Sequence, residues 1–148
     1  AGEGANLNIP LLPGAGQEAY LTAFEKLVLP KLQSFQPDLI VVACGFDANG
    51  FDPLSRTLAH SGTFADLTKV TMAAANDLCG GRLVLVHEGG YAEAVVPFCG
   101  VAVMEQLSGI STQVEDPFRP LLEARQPPTV LRELQRKLLD DQVSLAGL

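Results

Sequence analysis

Asp47 stands in the run Cys44-Gly45-Phe46-Asp47-Ala48-Asn49-Gly50-Phe51-Asp52-Pro53-Leu54, directly after the apolar stretch Leu39 to Ala43. That stretch is short, rich in Ile and Val and closed by a glycine, which is the pattern of a buried strand. A carboxylate just past the end of a buried strand is costly unless it is paired or bound to a metal. The pattern recurs at Arg82 to His87, an apolar run that ends in Glu88-Gly89-Gly90-Tyr91. If the two strands are parallel neighbours, an acid and a phenol emerge on the same edge of one sheet. Ligand sites in open α/β sheets form at that carboxyl edge. Alone, each residue has a plainer reading. Asp47 could be a loop carboxylate capping a turn, and Tyr91 an aromatic packed on the sheet at a helix start.

The elements that must position these residues follow from periodicity. Asn6-Leu7-Asn8-Ile9 alternates polar and apolar and predicts a short strand. Gln17 to Phe35 predicts a helix with Tyr20, Phe24, Leu27, Leu32 and Phe35 on one stripe, kinked or split at Pro30. Gly45 to Gly62 is a long loop, of a length that is often functional. Thr63 predicts the N-cap of a helix over Phe64–Leu78, closed by Gly80-Gly81. Ala92 to Leu107 has helical spacing despite Pro97 and Gly100. After a proline-marked connection, Val130 to Leu145 predicts an amphipathic helix with Leu131, Leu134, Leu138 and Leu145 on one face. A strand–helix–strand–helix order demands a parallel pair with a right-handed crossover, so the fold class is α/β.

Composition narrows the function. Over 148 residues, 47% hydrophobic and 18% charged residues describe a globular chain with a real core. A formal charge of -7 argues against a nucleic-acid binder. No apolar run approaches a membrane span and no signal peptide is visible, so no membrane partner is expected. Cys44, Cys79 and Cys99 are odd in number and lack C-x-x-C spacing. They predict buried thiols in a reducing compartment, and hence a cytoplasmic protein.

Taken together, several of these words resemble the histone deacetylase superfamily, most of all the bacterial class II-like deacetylases and acetylpolyamine amidohydrolases. The words are Gly4-Ala5-Asn6-Leu7-Asn8-Ile9-Pro10, Glu18-Ala19-Tyr20, Gly45-Phe46-Asp47-Ala48 with Asp52-Pro53-Leu54, Cys79-Gly80-Gly81-Arg82-Leu83-Val84-Leu85-Val86, Glu88-Gly89-Gly90-Tyr91 and Val96-Pro97-Phe98-Cys99-Gly100. The resemblance implies a parallel-sheet, three-layer α/β fold of the arginase and deacetylase kind. It implies a catalytic Zn2+ with Asp47 as one ligand, and Tyr91 as the donor to the oxyanion of the tetrahedral intermediate. Leu54, Gly89 and Gly90 would line the channel for an acetylated lysine or polyamine. Asp52 is expected to organise its loop by accepting backbone N–H groups, and Glu88 could orient the Gly-Gly turn in the same way. His60 is expected at the surface and His87 buried.

The family's Asp-x-His and tandem histidines have no counterpart here. Catalytic zinc sites use three protein ligands, and the reaction needs a general base. The chain is therefore expected to be the C-terminal half of a deacetylase, with residues 1–110 in the α/β domain and 111–148 a connection and terminal helix. The expected partners are the acetylated substrate and either the missing N-terminal half or a second copy. The alternative expectation is an inactive α/β module that works through oligomerisation.

Overall fold

A computed structural model describes residues 5–147, so Gly4 of the N-terminal word lies outside the described residues. The two apolar runs form strands β1 (Ile40–Cys44) and β2 (Leu83–His87), paired in parallel with Ile40 opposite Leu83 and Cys44 opposite His87. The crossover between them is helix α3 (Ser61–Cys79), and α4 (Val96–Ser108) follows β2. Each strand starts one residue later than its expected range. The α/β class and the parallel pairing are as expected.

One face of the pair is packed. Ile40, Val42 and Leu83 meet Ala75 and Cys79 of α3, while Cys44 and Leu85 meet Phe64, Cys99 and Val103 of α3 and α4. The other face is bare: Val41 is 60% exposed, Val84 46% and Val86 45%. The strands were expected to be buried throughout. A continuous apolar run suits a parallel strand covered on both faces, and among the described residues only one face has a helical layer.

The first helical run is α1 (Gln17–Ala23), a π turn (Phe24–Val28) and α2 (Leu29–Phe35). Pro30 lies inside one continuous helical run, where it cannot donate a helical hydrogen bond, and the π turn directly before it accommodates the break in the ladder. Leu27 is fully buried, but Phe35, expected on the same stripe, is exposed. The extra residue of the π turn shifts every later position around the helix axis. Gln36 then stops α2 in the left-handed region, its N–H reaching the Leu32 carbonyl at 2.9 Å.

Helix α3 starts three residues before the expected Phe64. His60 is its N-cap residue, and Thr63 accepts the His60 N–H on Oγ1 at 3.2 Å. Thr63 is therefore the third helical residue rather than the cap. Gly62 in the first turn obscured the start. A Cβ there would stand 2.9 Å from the Arg119 guanidinium carbon and 3.0 Å from the His60 ring.

Asn6–Ile9 forms no strand. A short helix α5 (Arg119–Glu123) precedes α6 (Thr129–Leu145), and α6 instead holds the residues that follow, Ile9 to Leu12. Buried Gln135 grips both backbone groups of Leu12: its Nε2 donates to the carbonyl at 2.9 Å, and its Oε1 accepts the N–H at 3.2 Å. Gln142 donates to the Pro10 carbonyl at 3.0 Å. Leu139 of α6 packs with Ala23 and Leu27. The expected leucine face is rotated: Leu134 and Leu145 are exposed, and Gln135 and Leu139 take the buried positions. Helix α6 thus covers α1 and the π turn, and the sheet face carrying Val41 and Val84 stays open.

Candidate functional site

The site is built where β1 and β2 end. Phe46 N–H donates to the Gly89 carbonyl at 2.8 Å, which carries the parallel pairing past the last strand residues and brings the two loops together. A Cβ on Gly89 would overlap the Asp47 carboxylate and would lie 3.4 Å from the Tyr91 hydroxyl. The carboxylate and the phenol therefore converge over one glycine, on the same edge of the sheet. Both side chains are exposed, and neither makes a hydrogen bond among the described residues. Gly90 adopts φ +135°, which only glycine takes without strain.

The loop beneath Asp47 is tied by buried polar groups. Asn49 is fully buried, and its Oδ1 accepts the Phe51 N–H at 2.9 Å. Its Nδ2 faces Cys99 Sγ at 3.5 Å, and burial pushes that thiol's pKa up to about 12, so it stays neutral. Thr57 donates to the Ala48 carbonyl at 2.9 Å and therefore accepts from the Tyr20 hydroxyl, also at 2.9 Å. Burial raises the Tyr20 pKa, the Thr57 bond lowers it in part, and the Asp47 charge raises it again. Tyr20 is thus held protonated and tied to the loop through Thr57.

Asp52 is buried and accepts the Leu54 N–H at 2.9 Å, as the loop reading expected. Its other oxygen accepts the Tyr91 N–H at 2.7 Å, a partner the sequence reading missed. The steering of the Gly-Gly turn foreseen for Glu88 falls to Asp52. Glu88 is exposed and forms no side-chain hydrogen bond among the described residues. Leu54 is 67% exposed at the mouth of the loop.

Both histidine expectations are reversed. His60 is 2% exposed, and its Nδ1 has no partner among the described residues. Burial lowers its pKa, helped by the nearby Arg119 and opposed by Glu123 and Asp116. His87 is exposed, its ring lying 5.2 Å from that of Phe46. His60 is buried as the N-cap residue of α3, beside buried Ser61 and Thr63, and His87 ends a strand whose outer face is bare.

As a metal ligand set the site is incomplete. Asp47 supplies one hard, unpaired oxygen donor, and no group of three His, Cys, Asp or Glu residues within ligating reach occurs among the described residues. The three cysteines are free thiols.

A helix-crossed parallel pair with an acid and a phenol at its carboxyl edge defines an α/β domain with a candidate site at its strand ends. The histone deacetylase domain family matches residues 1–107, and the chain belongs to that family. It is 52% identical over 147 residues to the histone deacetylase-like amidohydrolase of Pseudomonas aeruginosa, covering 99% of this chain and 39% of that protein. It is 36% identical to the chloroplastic histone deacetylase 14 of Arabidopsis thaliana, over 94% of this chain and 31% of the relative. Among solved structures it resembles the HDA15 HD domain, with a TM-score of 0.68 and 25% identity over 97% of this chain and 39% of that one. The histone deacetylase Clr3 follows with a TM-score of 0.65 and 28% identity, over 91% of this chain and 22% of the other. The chain thus spans well under half the length of these relatives. The family is one of histone deacetylase-like amidohydrolases and is generally zinc-dependent. Among the described residues no helix is long and apolar enough to cross a membrane.

Proposed function

We propose that these residues form part of the active site of a cytoplasmic, zinc-dependent amidohydrolase that cleaves the amide of acetyl-lysine or an acetylpolyamine. One observation carries the reading: the Asp47 carboxylate and the Tyr91 hydroxyl converge over Gly89 at the carboxyl edge of a parallel pair. Asp47 is one zinc ligand, and the remaining ligands and the general base come from outside the described residues. Bound there, zinc would supply Lewis-acid polarisation of the amide carbonyl. Tyr91 donates its phenolic proton in a hydrogen bond to the oxygen as negative charge develops on it. Leu54 forms one wall of the acyl channel. Gly89 and Gly90 form the other, where the lack of side chains lets substrate approach the backbone.

The direct test is a chimera in which this chain replaces the matching segment of the Pseudomonas relative. It should retain zinc and hydrolyse an acetyl-lysine reporter. Asp47→Ala should lose the metal. Tyr91→Phe should keep the metal and lower kcat by about 100- to 1,000-fold, with KM little changed, since the donor acts on transition-state charge. Full zinc retention in Asp47→Ala, or an unchanged kcat in Tyr91→Phe, would overturn the assignments.

The bare face carrying Val41, Val84 and Val86 favours a second reading, a module that acts by self-association. Parallel sheets are normally covered on both faces, and exposed apolar patches with open strand edges recruit other chains. Sedimentation of the 148-residue chain decides it. A monomer at high concentration rejects self-association, and an oligomer dispersed by Val84→Lys supports it.

A further inference from the structure

We infer that Asp52 is the positioning residue that sets Tyr91, and that it does so by joining the two walls of the site through one buried carboxylate. The inference rests on the reading of Tyr91 as the donor to the oxyanion, and it goes beyond that reading by assigning what aims the donor. Asp52 is 6% exposed and lies in a corner of the loop between β1 and α3. Its Oδ1 takes the Leu54 N–H at 2.9 Å and its Oδ2 takes the Tyr91 N–H at 2.7 Å. The first bond closes a local Asx turn. The second spans 39 residues of sequence and has no local reason to exist.

Two features make this carboxylate the device that holds Tyr91. First, the Tyr91 side chain is 56% exposed and makes no hydrogen bond among the described residues, so its own packing does not fix it. Secondly, the turn in front of it holds two glycines, one at φ +135°, and so has little stiffness of its own. An ionised carboxylate accepting from a backbone N–H makes a shorter, stronger bond than a neutral acceptor, and burial strengthens it further. The Asp52 backbone is fixed in turn, its N–H donating to the Asn49 carbonyl at 2.9 Å and its carbonyl accepting from Ser55 N–H at 3.1 Å. The chain of restraint therefore runs from buried Asn49 to Asp52 to the Tyr91 backbone. Leu54 is tied by its backbone N–H to the other oxygen of the same carboxylate.

Asp52→Asn separates this role from bulk. The amide keeps the size and one acceptor oxygen, which can serve Leu54, but presents an NH2 group to the Tyr91 N–H, donor against donor. In the native 148-residue chain, the Tyr91 amide should exchange with solvent at least tenfold more slowly than that of exposed Glu93. An unprotected Tyr91 amide would overturn the inference without any variant being made. In Asp52→Asn the Tyr91 amide should lose that protection while Leu85 and Val103 keep theirs, and Asp52→Glu, which keeps two acceptors, should restore part of it. Loss of protection at all three residues would mark a general folding role and overturn the inference.

In the Pseudomonas chimera, Asp52→Asn should lower kcat at least tenfold with KM little changed, and should add nothing to Tyr91→Phe. A full additional loss on top of Tyr91→Phe would overturn the positioning role. If Tyr91→Phe alone leaves kcat unchanged, the catalytic reading of Tyr91 fails. The exchange result then still decides whether Asp52 holds the Tyr91 backbone.

Discussion

Gly89 and Gly90 are adjacent, and alanine at either one should be resisted by different physics. At Gly89 the backbone is not in the left-handed region, so an added Cβ brings no torsional strain. Its obstacle is the Asp47 carboxylate, whose carbon would stand 2.9 Å away. Asp47 is exposed and can swing into water at a cost of about 0.5–1.5 kcal/mol for leaving its rotamer. Alanine also restricts the unfolded chain, which offsets about 0.4–1 kcal/mol. Gly89→Ala should therefore change stability by less than about 1 kcal/mol, the difference of these two contributions.

At Gly90 the obstacle is the backbone itself. A φ of +135° is essentially closed to residues with a Cβ, and the new atom would also lie 3.0 Å from Val96 Cγ2 and 3.2 Å from Phe46 Cβ. Gly90→Ala should cost about 1–3 kcal/mol from the backbone alone. The contrast appears in a double-mutant cycle with Asp47→Ala, measured by urea unfolding. Removing the carboxylate should convert Gly89→Ala into a stabilising change of about 0.4–1 kcal/mol, while Gly90→Ala keeps its full cost. If Gly89→Ala has the same effect with and without the Asp47 carboxylate, the side chain does not lie over Gly89 and the convergence of the site is wrong.

Two further outcomes test the frame of the fold. Gln135→Leu leaves the Leu12 N–H and carbonyl without their buried partner and should cost about 1–3 kcal/mol per orphaned group, whereas Gln142→Leu, whose single bond is exposed, should stay within about 0.5 kcal/mol in the same urea assay. His60 has a lowered pKa in the folded chain because it is buried, so below its ordinary value of 6.5 the unfolded chain binds more protons than the folded one. Stability should therefore fall as pH drops below that value, and His60→Asn should flatten the slope between pH 7 and about 5.5; a slope identical in both chains would place His60 in water.

The placement of the strand-end residues was easier to read from the sequence than the packing was. Asp47, Gly89, Gly90 and Tyr91 sit in short words at strand ends, and strand ends are marked by the apolar run that precedes them. The contact between Gln135 and Leu12 joins residues 123 apart and rests on a polar side chain in an apolar position, which no periodicity signals. The helix α6 stripe was misread for that reason, because a leucine-only count passes over the buried glutamine. The first helix was misread beyond Val28 because a π turn inserts a residue that leaves no mark except Pro30 behind it. The strands looked wholly buried because composition reports what a strand could tolerate on both faces, and only coordinates show which face is covered. His60 was placed at the surface because loop histidines usually are, and its helix began three residues earlier than its cap chemistry suggested.

The arrangement of polar groups shows how such a site divides its labour. The Asp47 carboxylate and the Tyr91 hydroxyl are exposed and make no hydrogen bond among the described residues. Asn49 and Asp52 beside them are buried, and their side-chain oxygens accept from backbone N–H groups. That separation is what an electrostatic site requires. A donor or ligand already satisfied by its own protein must break that bond before it can serve a metal or a developing charge, and the reorganisation subtracts from what it contributes. A free side chain on a free backbone would instead lose the benefit to disorder. Here the backbone beside each reactive group is fixed from below, by Phe46 N–H on the Gly89 carbonyl and by Asp52 on the Tyr91 N–H. The side chains above remain available. Glycine at position 89 is the remaining condition, since any side chain there would fill the point at which the Asp47 and Tyr91 side chains meet.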